Sequence, residues 1–127
     1  MTARTLTPEP LTQQAFAPFG QVVEADDTAD RKRINAGHTT RFHDLAELDL
    51  TRAGGRPLVS IFRTTPMAAP ITVHVMERHP LGSQTFMPLT GRPYLVVVAP
   101  AGPFNADALR AFRAEGHQGV HYAAGVW

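Results

Sequence analysis

Cysteine is missing altogether from this chain of 127 residues. That absence excludes thiolate nucleophiles, disulfides and zinc–sulfur centres together, and it suits a reducing compartment. Long apolar runs are missing too. Nothing approaches the roughly 18 residues of a membrane-spanning helix, and the opening MTARTLTPEPLTQQAF lacks the apolar core of a signal peptide. An excess of one charge is also lacking: the formal net charge is +1, so no strong field draws nucleic acid or an anionic membrane. The densest basic cluster, Arg31 to Arg33, follows the acidic EADDTAD and reads as a solvated loop. Phosphate-loop, dinucleotide-binding and zinc-protease motifs are absent as well. These absences lead to a soluble cytoplasmic protein that engages a small molecule, not nucleic acid or a membrane.

What is present describes an ordinary globular protein, 43% apolar and 18% charged, of a length that suits a single domain over residues 1–127. The 11 prolines and 10 glycines punctuate the chain evenly, which favours short strands joined by turns. LTQQAFAPFG reads as one helical turn begun by Thr12 and halted before Pro18. A short strand is expected near Ile34. PLVSIFR alternates Leu58, Ser60 and Phe62 against Val59 and Ile61. PITVHVMERH places Ile71, Val73, Val75, Glu77 and His79 on one face and Thr72, His74, Met76 and Arg78 on the other. SQTFMPL reads as the return strand after the PLGS turn, and YLVVVAP, apolar on both sides, as a central strand. NADALRAFRAEG reads as a helix, with Asn105 as N-cap, a stripe of Ala108, Leu109 and Phe112, and Gly116 as the stop. Such a count predicts a mainly β fold, an antiparallel sandwich or small barrel with a peripheral helix.

Glu77 and His79 form the foremost candidate pair, because period two sets them together at the end of an apolar strand. A carboxylate and an imidazole so placed serve as base and acid, as two metal ligands, or merely as the solvated end of a strand. Arg78 points the other way and reads as a surface or interface contact. Gln84 returns beside the pair after the turn, and its amide both donates and accepts, which suits a urea or amide group. Ser83 lacks a nucleophile elbow and reads as a turn residue. Arg41, near His38 and His43, and Arg63 are the arginines suited to gripping a carboxylate through parallel hydrogen bonds. The segment GHQGVHYAAGVW adds His117, His121 and Tyr122 on an expected strand and turn.

The block MERHPLGSQTFMPL closely resembles the ureidoglycolate lyase family, formerly called ureidoglycolate hydrolase. FAPFG, INAGHTTRFHDLA, and YLVVVAP leading to LRAF and GVHYAAGVW extend the resemblance, in order, from Phe16 to Trp127. The resemblance implies a cupin-like antiparallel β-barrel or jelly roll with one or two short helices. It also implies a homodimer that cleaves ureidoglycolate to glyoxylate and urea during purine breakdown through allantoin. It carries Glu77, Arg78, His79, Ser83, Gln84 and Pro88 over from one block, and Gln118, Gly119, Tyr122, Gly125 and Trp127 from another. Glu77 and His79 are the expected catalytic residues, Gln84, Ser83 and Tyr122 are expected substrate contacts, and Arg63 or Arg41, chosen on chemistry alone, is expected to neutralise the carboxylate. A divalent metal such as nickel, on Glu77 and His79, is the alternative to metal-free acid–base chemistry. The family pattern continues beyond this tryptophan with a histidine, a proline and an apolar segment, so by that measure the chain is C-terminally shortened. A second reading follows from that difference: a non-catalytic cupin that binds or senses a small carboxylate metabolite.

Overall fold

A computed structural model describes residues 4–127. Thr12 opens the one α-helix among them, α1 (Gln13–Phe16), by accepting a hydrogen bond from the Ala15 N–H at 3.1 Å. A side-chain oxygen there satisfies a helix donor that has no intrahelical acceptor. The helix is a single turn, and the chain folds back at once, the Phe19 N–H donating to the Phe16 carbonyl. This sharp reversal delivers both rings into the core. The Gln13 amide then acts as a substitute strand edge, donating to the Val22 carbonyl at 2.5 Å and accepting from the Val22 N–H at 3.0 Å.

The strands are β1 (Glu9–Pro10), β2 (Gly20–Val23), β3 (Asp30–Ile34), β4 (Thr39–His43), β5 (Gln84–Phe86), β6 (Tyr94–Val98), β7 (Arg110–Ala114) and β8 (Gly119–Tyr122). They form two three-stranded sheets, β1-β7-β6 and β2-β8-β5, and the separate hairpin β3-β4. Only β1 and β7 run parallel. One apolar cluster draws on both larger sheets and α1: Phe16, Phe19, Val22, Val96, Val98, Phe112 and Val120. Phe16, Phe19 and Phe112 meet at ring separations of 5.5, 5.6 and 6.0 Å. Such tilted aromatic contacts add to the gain from burial itself. Arg110 pins this core from one side, donating to Glu9 at 2.6 Å and to the Ala15 carbonyl at 3.1 Å. The fold is mainly β and cupin-like, with its sheets left open, and no described helix is long and apolar enough to cross a membrane.

The structure corrects three expectations. The helix read over 105–116 is a 3-10 turn at Ala106–Ala108 followed by the strand β7. Asn105 does cap, accepting from the Asp107 N–H at 3.0 Å. Beyond it, strand pairing on both sides of β7 and burial of Ala111, Phe112 and Ala114 outweigh a weak local helix preference. Gly116 marks a close backbone approach and not a helix stop, since a Cβ there would lie 2.0 Å from the Gly91 carbonyl oxygen. The strand β6, read as central, lies at a sheet edge with Leu95 48% exposed.

The third correction concerns PLVSIFR and PITVHVMERH. Both regions lack strand pairing within the described chain. Leu58, Val59, Ile61 and Phe62 are 73%, 96%, 72% and 72% exposed, so neither face of the first segment is covered. Alternation of side chains is not enough for a strand, which also needs a neighbour to bond to.

Candidate active site

Glu77 and His79 share a side of the chain, as period two requires, with the imidazole Nε2 3.8 Å from a carboxylate oxygen. Because no ladder holds this segment, its position depends on tethers. The Gly125 N–H donates to the His79 carbonyl at 2.9 Å. Arg78, on the opposite side, lies 4.9 Å from the Trp127 ring centroid, a cation–π arrangement. Its guanidinium and the Trp127 indole N–H both donate to the Gly102 carbonyl, at 3.4 and 2.9 Å. Phe104 meets the same indole edge-on, with centroids 5.3 Å apart. Arg78 thus ties the chain between the two candidate side chains to Trp127 and Gly102.

The neighbouring β5 brings Gln84 opposite Tyr122 of β8. Phe86 stacks against Tyr122 at 5.5 Å and against Phe62 at 6.0 Å, which brings the segment bearing Arg63 beside the same sheet. Burial, with a smaller contribution from nearby Tyr94, pushes the Tyr122 phenol up to about 12. It therefore stays protonated and able to donate at neutral pH. Arg41 lies elsewhere, on β4 of the detached hairpin, opposite Lys32.

Other residues of these blocks hold the scaffold. The buried Ser83 hydroxyl accepts from the Asp49 N–H at 2.8 Å and donates to the Asp49 carbonyl at 3.3 Å. It fixes the turn that leads into Gln84. His121 is 1% exposed and sits between a carbonyl and a hydroxyl. Its Nε2 must donate to the Glu47 carbonyl at 2.8 Å, so Nδ1 accepts from the Thr85 hydroxyl at 2.6 Å. Burial lowers its pKa, opposed in part by the bond to Glu47 and by that carboxylate; it is a neutral strut. Gln118 donates to the Leu11 carbonyl and to Glu24, and accepts from the Glu115 N–H. Glu24 and His121 carry this framework without having been expected to, since their partners are remote in sequence.

Could a divalent metal sit here? Glu77 and His79 supply two donors, and the described residues contain no group of at least three His, Cys, Asp or Glu side chains placed to hold one. Zinc centres take three or more protein ligands, so the Glu77 and His79 side chains do not by themselves make up such a centre. What the pair can do unaided is exchange protons with a small polar molecule.

Comparison with known proteins supplies the chemistry's context. A family model described as ureidoglycolate lyase matches residues 3–127. The ureidoglycolate lyase of Burkholderia mallei (strain NCTC 10229) is 58% identical over 124 residues, covering 98% of this chain and 72% of that protein. That of Burkholderia cepacia is 58% identical over 120 residues, 94% of this chain and 67% of the relative. That of Pseudomonas syringae pv. tomato is 53% identical over 125 residues, 98% and 73%.

Proposed function

The chain belongs to the ureidoglycolate lyase family, and from that premise we propose that it cleaves ureidoglycolate to glyoxylate and urea. The observation that carries the reading is the match of 58% identity across 98% of the chain. The proposed reaction is that of a carbon–nitrogen lyase of the amidine-lyase class. With it go a role in purine breakdown through allantoin, a cytoplasmic location and a homodimeric state.

Ureidoglycolate bears a carboxylate, a hydroxyl and a ureido nitrogen on one carbon. Expulsion of urea takes the hydroxyl proton to a base as the C–O bond becomes C=O. The C–N electron pair leaves with nitrogen, which is protonated by an acid. No oxidant or reductant enters the balance. Glu77 and His79, 3.8 Å apart, divide the base and acid roles, each worth about 10²- to 10⁴-fold. Gln84 holds the ureido end by donating and accepting at once, and the protonated Tyr122 opposite it donates. Arg63 neutralises the carboxylate. Its segment touches β5 through Phe62 and Phe86, a connection that favours it over Arg41.

The test incubates purified protein with ureidoglycolate and quantifies glyoxylate, urea and ammonia above spontaneous decay. Glyoxylate with equimolar urea is the expected result. Ammonia in place of urea would mean amide hydrolysis and overturn the lyase assignment, as would the absence of product.

A further inference from the structure

Glu77 and His79 belong to a segment with few attachments. Among the described residues, the backbone of 71–79 takes part in one hydrogen bond, from the Gly125 N–H to the His79 carbonyl at 2.9 Å. Its side chains make one more, from Arg78 to the Gly102 carbonyl at 3.4 Å. Glu77 and His79 are themselves exposed, so packing does not hold them. Arg78, by contrast, rests on a well-anchored ring. Trp127 exchanges two backbone hydrogen bonds with Ala99, each 3.0 Å, and Ala99 is buried immediately after β6, next to Val98 of the core. The indole N–H reaches the Gly102 carbonyl at 2.9 Å, and Phe104 lies edge-on to the ring at 5.3 Å. The Arg78 guanidinium stands over that ring, 4.9 Å from its centroid, where the electron-rich face attracts a cation. Period two turns this side chain away from Glu77 and His79, so it does not grip the carboxylate of a substrate held between them.

We propose that Arg78 is a positioning residue for the lyase reaction, an inference that rests on the reading of Glu77 and His79 as the acid–base pair. Its clasp on Trp127 refers the backbone between those two residues to the core through Ala99, and so sets the separation and aim of their side chains. Pinned at the Arg78 side chain on one side and at the His79 carbonyl on the other, this stretch has little freedom to rotate the pair apart. Released at residue 78, both side chains turn about the one remaining bond from Gly125. Proton transfer tolerates such movement poorly, since a misplacement of roughly 1 Å is enough to cost about 100-fold in rate.

The test uses Arg78→Met in the full chain, which roughly keeps the side chain's reach and removes its charge and donors. Two readouts need no turnover. Trp127 is the only tryptophan in the sequence, so its fluorescence reports the clasp alone, and a shifted emission is expected in Arg78→Met. The ring ¹⁵N signals of His79, assigned by their loss in His79→Gln, report the pair. In the wild-type background Glu77→Gln should move them, because the carboxylate lies 3.8 Å away. In the Arg78→Met background the same change should move them at most about a third as far, as for two groups whose coupling depends on a third. In turnover of ureidoglycolate, Arg78→Met should lower kcat about 10- to 100-fold with KM within about twofold. The melting temperature should stay at the wild-type value, since Arg78 is exposed. Undiminished kcat, a rise in KM alone, unchanged Trp127 emission, or an equal response of His79 to Glu77→Gln in both backgrounds overturns the assignment. If the wild type itself releases no glyoxylate, the lyase reading falls, and the His79 response alone decides whether Arg78 sets the pair.

Discussion

Replacing Gln118 by Leu tests whether the two larger sheets are bridged by polar contacts as much as by the core. The substitution roughly conserves volume, so the cost comes from hydrogen bonds and not from a cavity. Three are lost: from Nε2 to the Leu11 carbonyl at 3.0 Å, from Nε2 to Glu24 at 3.1 Å, and from the Glu115 N–H to Oε1 at 2.9 Å. Glu24 keeps His117 at 3.4 Å, and exposed Glu115 finds water, so these two are discounted. The Leu11 carbonyl belongs to a residue 4% exposed and is left stranded. A stranded buried group costs about 1–3 kcal/mol and each further bond about 0.5–1.5, which gives a loss of about 2–4 kcal/mol. Against a typical total of about 5–15 kcal/mol, this lowers the melting temperature by roughly 8–16 °C. Urea unfolding followed by circular dichroism reads the loss as a lower midpoint at constant slope. Gln118→Glu should be worse than Leu, because it removes both donations and sets a second carboxylate beside Glu24. A loss below about 1 kcal/mol, or a Glu variant milder than Leu, refutes the bridging role.

Stability should fall on acidification through His121. Its folded pKa is lowered, so below about pH 6.5 the unfolded chain binds the extra proton. The favourable contribution present above that pH is lost towards the folded pKa, with a slope of at most about 1.4 kcal/mol per pH unit. Melts of wild type and His121→Phe between pH 5 and 8 check this, and identical profiles would sink it. Glu77→Gln should abolish turnover with an unchanged melting temperature, since its side chain is 84% exposed; full activity would remove it from the mechanism. Gly20→Ala should destabilise severely, as a Cβ there would lie 1.8 Å from the His121 carbonyl oxygen and the backbone sits at φ +152°; a wild-type melt would contradict the close approach. Hydrogen exchange should find the amides of 57–63 the least protected and those of β7 and β8 among the slowest. Slow exchange at Val59 would show a backbone partner for that segment.

Local chemistry was legible where both partners lie close along the chain. The Thr12 cap and the hairpin strand at Ile34 rest on contacts within a few residues, whereas the strand at Gln84 pairs with the distant β8 and not, as expected, with the 71–79 segment. The joint placement of Glu77 and His79 follows from period two alone. What stayed hidden depends on distant residues. The strand β7 exists because β1 and β6 flank it, and nothing in ADALRAFRA records those neighbours. The Gln118 bracket joins residues 94 and 107 positions apart. The free edges of 57–63 were equally unreadable, because alternation specifies which way side chains point and says nothing about what lies alongside. Arg41 and Arg63 looked equivalent in sequence, and only the contact of Phe62 with Phe86 separates them.

The way the Glu77–His79 segment is moored divides the protein's vulnerabilities into two kinds. The cluster around Phe16, Phe19 and Phe112 governs whether the chain folds. The clasp of Arg78 on Trp127, with the single bond from Gly125 to the His79 backbone, governs where two exposed side chains stand. On the proposed mechanism, a substitution at the exposed Arg78 removes little buried apolar surface, so calorimetry should register little while turnover falls. Drift at Arg78 would therefore accumulate as folded, abundant protein that has fallen silent, a class of variant that any screen for stability would pass.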